Sequence, residues 1–414
     1  MIVPQVGEAA RALADAQIKP QLTLVPDAPV QIAHGVPAKI AAYAATHALP
    51  SPCLILDVDI VEQAFHGLSA ALPDAHIYYA VKANPAPEVL ARLQALGSNF
   101  DVASRRETEM CLAQGTSSNR ISFGNTIKKE SDIAFAHAVG VDLFAFDSEA
   151  ELEKLARSAP GAKVYARILM ECEGADWPLS RKFGCAPTMA AELLIRARDM
   201  GLVPWGVSFH VGSQQTNPAA FDYAVSVAAG VFAKVHEAGI RLGLLNVGGG
   251  FPSRYQHDAP AHTAYGDAIR DAVTRHIEAR GFGRPGVIVE PGRGMVGDAG
   301  VIQAEVVLIS RKDDTDPRRW VYLDIGKFSG LAETMEEAIK YRFVTPHDGG
   351  PTGPVVLAGP TCDSADILYE KADYCLPLDL AVGDKVFILT TGAYTTTYSS
   401  VCFNGFDPLA SVCI

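Results

Sequence analysis

Cysteine spacing that would bind a metal or staple a small fold is missing from this sequence. Its eight cysteines, at positions 53, 111, 172, 185, 362, 375, 402 and 413, form no CxxC and no framework pattern across 414 residues. In a chain of this length they read as reduced thiols, and no metal site is expected. Positive charge is short as well: 35 basic residues stand against 47 acidic ones, a net charge of −12. A nucleic-acid footprint needs a basic face, so that partner is excluded, whereas a cationic small-molecule substrate suits the balance. No uninterrupted apolar run approaches the length of a membrane span. The opening "MIVPQVGEAARALADAQIKP" lacks the basic and apolar regions of a signal peptide and reads as a short amphipathic helix. A cytoplasmic protein without a membrane partner is the expectation.

What is present is a regular alternation. Short apolar runs occur at "IYYAVK" (77–82), "FDVAS" (100–104), "ISFGN" (121–125), "LFAFDS" (143–148), "VYARIL" (164–169), "GVSFHVGS" (206–213), "LLNVGGG" (244–250) and "VIVEPGR" (287–293). Between them, segments such as "SEAELEKLARSA" carry apolar residues at helical spacing, here with Ser148 and Glu151 in a capping-box pattern. Strand–helix alternation implies a parallel sheet covered by helices, and eight units of this length predict a (β/α)₈ TIM barrel. A doubly wound open sheet is the alternative, since strand count does not prove closure. The barrel is favoured because nearly every run ends on a chemically capable residue. Lys82, Asp101, Ser104, Asn125, Asp147, His210, Ser213, Gly248 to Gly250, Glu290 and Arg293 all fall there, where barrel active sites are built.

Beyond residue 300 the runs "VIQAEVVLISRK", "RWVYLDIG", "GPVVLAG" and "DKVFILTTGAY" are β-rich and separated by turn formers, which predicts an antiparallel β-sandwich or β-barrel domain. The expected division is an N-terminal helix and strand (1–56) contributing to the β domain, the barrel (57–298), and the C-terminal β domain (299–414).

Alone, Lys82 reads as a strand end pointing into water, because desolvating an ammonium is costly. The glycines of "NVGGGFP" (246–252) fit either a tight turn or a loop whose backbone N–H groups approach a phosphate. "EPGRG" (290–294) adds an arginine able to fork onto phosphate oxygens, and barrels commonly bind phosphate after the seventh and eighth strands. A phosphate, a lysine and a carboxylate at one site suggest pyridoxal 5'-phosphate (PLP). Lys82 would hold it covalently, Glu290 would keep the pyridine nitrogen protonated, and His210 would stack on the ring.

The series "YYAVKAN", "FDVAS", "SFHVGSQ", "NVGGGFP", "EPGRG", "GPTCDSAD" and "GAYTT…FNGF" resembles, in order, the motifs of the fold-type III PLP-dependent ornithine/lysine decarboxylases of bacterial type. The resemblance runs from about residue 50 to 407. It implies an alanine-racemase-like barrel with a C-terminal β domain, decarboxylation of L-ornithine and/or L-lysine to putrescine and/or cadaverine, and a head-to-tail homodimer with composite active sites. It further implies Lys82 as the cofactor-bearing lysine and Asp101 as its acidic partner. Ser213, Gly249, Gly250, Arg293 and Tyr394 would bind the phosphate. Cys362 would protonate Cα in the neighbouring subunit's site, Asp363 would receive the substrate's distal ammonium there, and Phe403 would line that pocket.

The segment "GKFSGLAETMEEAIKYRF" (326–343) departs from the Tyr-Asp pair of the eukaryotic enzymes. Glu333 is the candidate for a substitute distal acid, with Glu336 and Glu337 expected on a solvated helical face. The competing functions are a diaminopimelate or carboxynorspermidine decarboxylase of the same fold and a non-catalytic regulator similar to the antizyme inhibitors. The retained Lys82, His210, Glu290, Arg293 and Cys362 argue against the regulator.

Overall fold

The computed structural model describes residues 35–170, 173–177 and 182–414. The amphipathic helix expected near the start of the chain lies outside the described residues. Eight strands, Ala75–Ala80, Asn99–Val102, Ile121–Phe123, Leu143–Phe146, Lys163–Arg167, Val203–Ser208, Leu244–Asn246 and Gly286–Val289, close into a barrel. All eight pairings are parallel, and closure is made where Val287 pairs with Ala75. The open-sheet alternative is thereby excluded. Buried on both sides, these strands are short and nearly continuous in apolar residues, as parallel strands under a helical cover must be. Inside, Leu143, Ala145, Tyr165, Leu244 and Ile288 form a packed layer. The Tyr165 hydroxyl is satisfied by Ser122 at 2.9 Å, so the barrel is plugged rather than open.

The connecting helices start where the sequence says. Ser148 accepts the N–H of Glu151 at 3.4 Å, one half of the expected capping box. The other half is missing, because the Glu151 carboxylate turns instead to the fully buried Lys128 ammonium at 3.1 Å. A buried ammonium needs a counter-charge more than a helix end needs a second cap. Among the described residues, no helix is long and apolar enough to cross a membrane.

Eight strands beyond residue 299, with Cys53–Leu56, form a nine-stranded sheet built on the long strand Gly300–Ser310. Its order runs Phe343–Val344, Lys385–Leu389, Gly300–Ser310, Arg319–Leu323, Thr352–Ala358, Ile367–Tyr369. Cys53–Leu56 pairs antiparallel with residues 300–303 and parallel with Ala410–Cys413. The sheet is therefore mixed where a wholly antiparallel one was expected, since Arg319–Leu323 also runs parallel to Thr352–Ala358. Glu337 departs too from its expected solvated face: its carboxylate accepts the backbone N–H groups of Glu370, Lys371 and Ala372 at 2.6–2.7 Å. Only Glu336 is exposed.

Gly392 sits at the seam between barrel and sheet, donating its N–H to Gly297 at 3.0 Å. A Cβ there would land on the Val296 carbonyl oxygen, which is backbone and cannot step aside. Gly230, by contrast, lies on an exposed face of the helix Ala219–Glu237 with open space around it. In chemical denaturation Gly392→Ala is expected to lose about 3 kcal/mol or more through overpacking. Gly230→Ala is expected to gain about 0.5–1 kcal/mol from helix propensity.

Candidate active site

Lys82 does not terminate the first strand but sits in a single 3₁₀ turn, Val81–Ala83, immediately after it. The turn is fixed from several directions. The Tyr79 hydroxyl donates to the Asn84 carbonyl at 2.8 Å, and the Asn84 amide donates to the Gly392 carbonyl at 2.9 Å. Tyr394 N–H donates to the Ala83 carbonyl at 2.8 Å, and the Thr397 hydroxyl donates to the Lys82 carbonyl at 2.9 Å. Backbone position is thus set by both domains, while the amine projects into a cavity of about 370 Å³ at the carboxyl ends of the barrel strands.

Eight of the residues singled out in the sequence line this one cavity. Lys82, His210 and Glu290 bring ionisable groups to it, and Ser213, Gly249, Gly250, Arg293 and Tyr394 complete the lining. Asp101 lies beside Lys82, Oδ2 to Nζ at 3.7 Å. Burial first, and then the charge of Glu290, push the Asp101 carboxyl well above the usual carboxylate range, against the pull of Lys82. For Lys82, burial acts to lower the amine, but Asp101, Tyr394 and Glu290 outweigh it and leave it raised. The other Asp101 oxygen, Oδ1, is buried and has no partner. An orphaned acceptor in a polar cavity is costly unless a further group meets it.

Glu290 leaves the barrel floor in a fixed pose because the Asn246 amide donates to its Oε1 at 2.5 Å. His210 accepts the Gly212 N–H on Nδ1 at 3.0 Å, which places the proton of the neutral ring on Nε2. Burial, with Arg167 and Lys82 nearby, lowers its pKa to about 3, so the imidazole is an uncharged flat surface at neutral pH. Arg293 opens the short helix Arg293–Val296 and is itself buried. Its Nε and Nη2 approach the Ser213 hydroxyl at 3.3 and 3.1 Å. Among the described residues, Gly249 and Gly250 donate their backbone N–H groups to no protein acceptor.

The remaining sequence candidates fall elsewhere. Cys362 and Asp363 are exposed on a loop of the β domain. Phe403 packs on Phe328, ring centroids 4.9 Å apart, at a separate small cleft with Thr361 and Phe406. Glu333 is not at the free end of the cavity. Both its oxygens are committed to Arg293, at 2.6 and 2.9 Å, so the arrangement does not support a grip on a distal ammonium.

Three residues were not singled out as site residues. Asn246 stood within a quoted motif without a role. Arg167 ends the fifth barrel strand and sends its charge toward Glu290, Asp147 and Asp101, and its place at a strand end was the available signal. Tyr255, which accepts from Arg293 at 2.6 Å, lies on a loop and gave no signal.

An amine, a carboxylate in a fixed pose, a flat neutral imidazole and an arginine–serine–glycine anion site fit pyridoxal phosphate. Comparison with known proteins agrees. Residues 58–297 match the family model described as pyridoxal-dependent decarboxylase, pyridoxal binding domain. The chain is 35% identical to the lysine/ornithine decarboxylase of Selenomonas ruminantium over 86% of its own length and 88% of that protein's. A structure of a variant of the enzyme called SrLDC, in complex with PLP, superposes with a TM-score of 0.82 at 32% identity, covering 92% and 96% of the two chains. That of the Vibrio vulnificus lysine/ornithine decarboxylase complexed with cadaverine gives 0.80 at 31%, covering 92% and 99%.

The low pKa of His210 has a consequence for stability. The folded ring stays neutral while an unfolded one takes up a proton below about pH 6.5. Stability present above that pH is lost as pH falls toward 3, at up to about 1.4 kcal/mol per pH unit. His210→Phe, which has nothing to protonate, is expected to show a shallower loss between pH 6 and 4 than wild type in parallel urea titrations, about 1.4 kcal/mol less per pH unit at the limit.

Proposed function

The chain belongs to the pyridoxal-dependent decarboxylases, and from that membership we propose that it removes the α-carboxyl group of L-ornithine, L-lysine or both. The products are carbon dioxide and putrescine or cadaverine, a step of polyamine formation in the cytoplasm. The observation that carries the reading is that Lys82 and the Asn246-held Glu290 line one cavity together with Arg293, Ser213 and the Gly249–Gly250 turn.

Bound PLP supplies an electron sink, a protonated pyridine conjugated with the substrate's Cα, which takes the electron pair left when the Cα–carboxylate bond breaks. The chain's residues then have separable tasks. Glu290 holds a proton on the pyridine nitrogen, and Asn246 keeps that carboxylate aimed. A glutamate here favours decarboxylation, since an arginine in its place would weaken the sink. Neutral His210 offers a face for the ring without adding charge. Arg293, Ser213, Gly249 and Gly250 with Tyr394 hold the phosphate. Lys82 would hold the cofactor through its carbonyl carbon, with the Asp101 carboxyl 3.7 Å from the amine.

Cys362, Asp363 and Phe403 complete the reading in a second copy of the chain. Cys362 and Asp363 are exposed, Phe403 is half-buried, and all three stand apart from the cavity of their own chain, which supports a head-to-tail homodimer in which they enter the partner's site. There the Cys362 thiol gives a proton to Cα, and the Asp363 carboxylate pairs the distal ammonium, which must be neutralised once desolvated. Diaminopimelate carries a second carboxylate at that end and would be repelled by an aspartate. Ornithine and lysine differ by one methylene, which sets only the depth at which the ammonium meets that acid.

Carbon dioxide release from ornithine, lysine, arginine and diaminopimelate tests the reading directly: turnover of the first two and rejection of the last are expected. Lys82→Ala should lose both the visible absorbance acquired with PLP and all measurable turnover. Cys362→Ala should keep the absorbance and lose roughly 10²-fold in kcat, as for removal of a general acid. Mixing these two variants should raise activity above that of either alone if the sites are composite. No visible absorbance in wild type after PLP is added would overturn the assignment.

A further inference from the structure

Among the described residues, the pairing of Glu333 with Arg293 is a buried ionic contact at the cavity that the proposed chemistry leaves without a task. A guanidinium has five N–H groups arranged along two forked edges. In Arg293 the Nη1/Nη2 edge is taken: Nη2 donates to Glu333 Oε1 at 2.6 Å and Nη1 to Oε2 at 2.9 Å. The remaining Nη1 hydrogen goes to the Tyr255 hydroxyl at 2.6 Å. The other edge, Nε and Nη2, points toward Ser213 with longer contacts of 3.3 and 3.1 Å. Ser213 and Arg293 line the cavity together with the glycine turn. Both members of the ion pair are almost wholly buried, their side chains 2% and 6% exposed.

We infer that Glu333 is a positioning residue for phosphate recognition: it clamps one edge of Arg293 so that the opposite edge is presented, beside Ser213, to the cofactor's phosphate. The inference rests on the PLP reading above. Carboxylate and phosphate meet different edges and therefore do not compete. Because the pair is close to electrically neutral, recognition depends on aimed N–H groups rather than on surplus positive charge, and it fails when the aim is disturbed. The backbone supports the same aim, since the Ser253 hydroxyl donates to the Arg293 carbonyl at 2.8 Å and Gln214 binds Ser253 in turn.

Glu333→Asp tests this because it keeps the charge and shortens the reach, drawing Arg293 away from Ser213. Glu333→Gln replaces one acceptor by a donor that faces the Arg293 N–H groups. Binding of PLP and of pyridoxal, which lacks the phosphate, is titrated by absorbance and fluorescence without any turnover. Both variants are expected to weaken PLP binding by about tenfold or more, equivalent to one bidentate contact, with pyridoxal affected less than about twofold. The exposed Glu336→Gln should bind both ligands as wild type does. Wild-type affinity for PLP in Glu333→Asp would overturn the inference. Tighter PLP binding in either variant would do so too, since it would mean that the carboxylate opposes the phosphate. Equal losses for PLP and pyridoxal would reduce Glu333 to a structural role. If Glu333→Asp does not fold, Tyr255→Phe loosens the same edge at constant charge. A PLP-selective loss of about threefold is then expected, and none would refute the idea. Failure of wild type itself to bind PLP would instead strike the functional reading.

Discussion

Everything at the cavity depends on how the turn Val81–Ala83 is held. A lysine side chain is long and flexible, so its amine is placed only if its backbone is placed first. The carbonyls of Lys82, Ala83 and Asn84 are each accepted into a hydrogen bond, from Thr397, Tyr394 and Tyr79 respectively. Two of these donors come from the segment that follows the β domain's strand Lys385–Leu389. The barrel alone therefore does not define the reactive turn. The sheet domain reaches across and closes it, and Gly392 is required at that crossing because no side chain fits between the two backbones.

The electrostatics follow the same economy. Four acidic and basic groups face one another at the mouth: Lys82, Asp101, Glu290 and Arg167. Burial raises Asp101 and lowers Arg167, and each is restrained by an opposite neighbour. Arg293 is answered by a carboxylate of its own chain, Glu333. The cavity is polar without being strongly charged, which suits a ligand that is anionic at one end and an electron acceptor at the other. A strongly positive pocket would instead hold any phosphate.

Much of this was legible in the sequence, for a definite reason. Strands in a closed parallel barrel are short apolar runs, and the residue following each one faces the mouth, so Lys82, His210, Glu290 and Arg293 announced a shared site by their positions alone. The expected antiparallel sheet came out mixed because strand direction is set by partners far away in the chain. Glu333 and Glu337 were read by local pattern as a pocket acid and a surface acid. Each is in fact decided by tertiary partners, Arg293 and the N–H groups of 370–372. Tyr255 gave no warning, because a loop tyrosine acquires a task only when a distant arginine arrives beside it. Local chemistry predicts which groups converge; it does not predict which of their edges are already taken.

The strand Cys53–Leu56 carries one more implication. It lies between residues 300–303 and the strand Ala410–Cys413; the Ile414 N–H donates to the Leu56 carbonyl at 2.9 Å, and the Ile414 carbonyl accepts the Val58 N–H at 3.2 Å. An early segment of the described chain is thus flanked by two late ones. During synthesis one edge must wait for residues 300–303 and the other for Ala410–Cys413. Such non-local closure makes folding slow and leaves a fully apolar strand exposed to wrong partners in the interval. The seam that fixes Lys82 is non-local in the same way, joining Asn84 to Gly392 and Lys82 to Thr397.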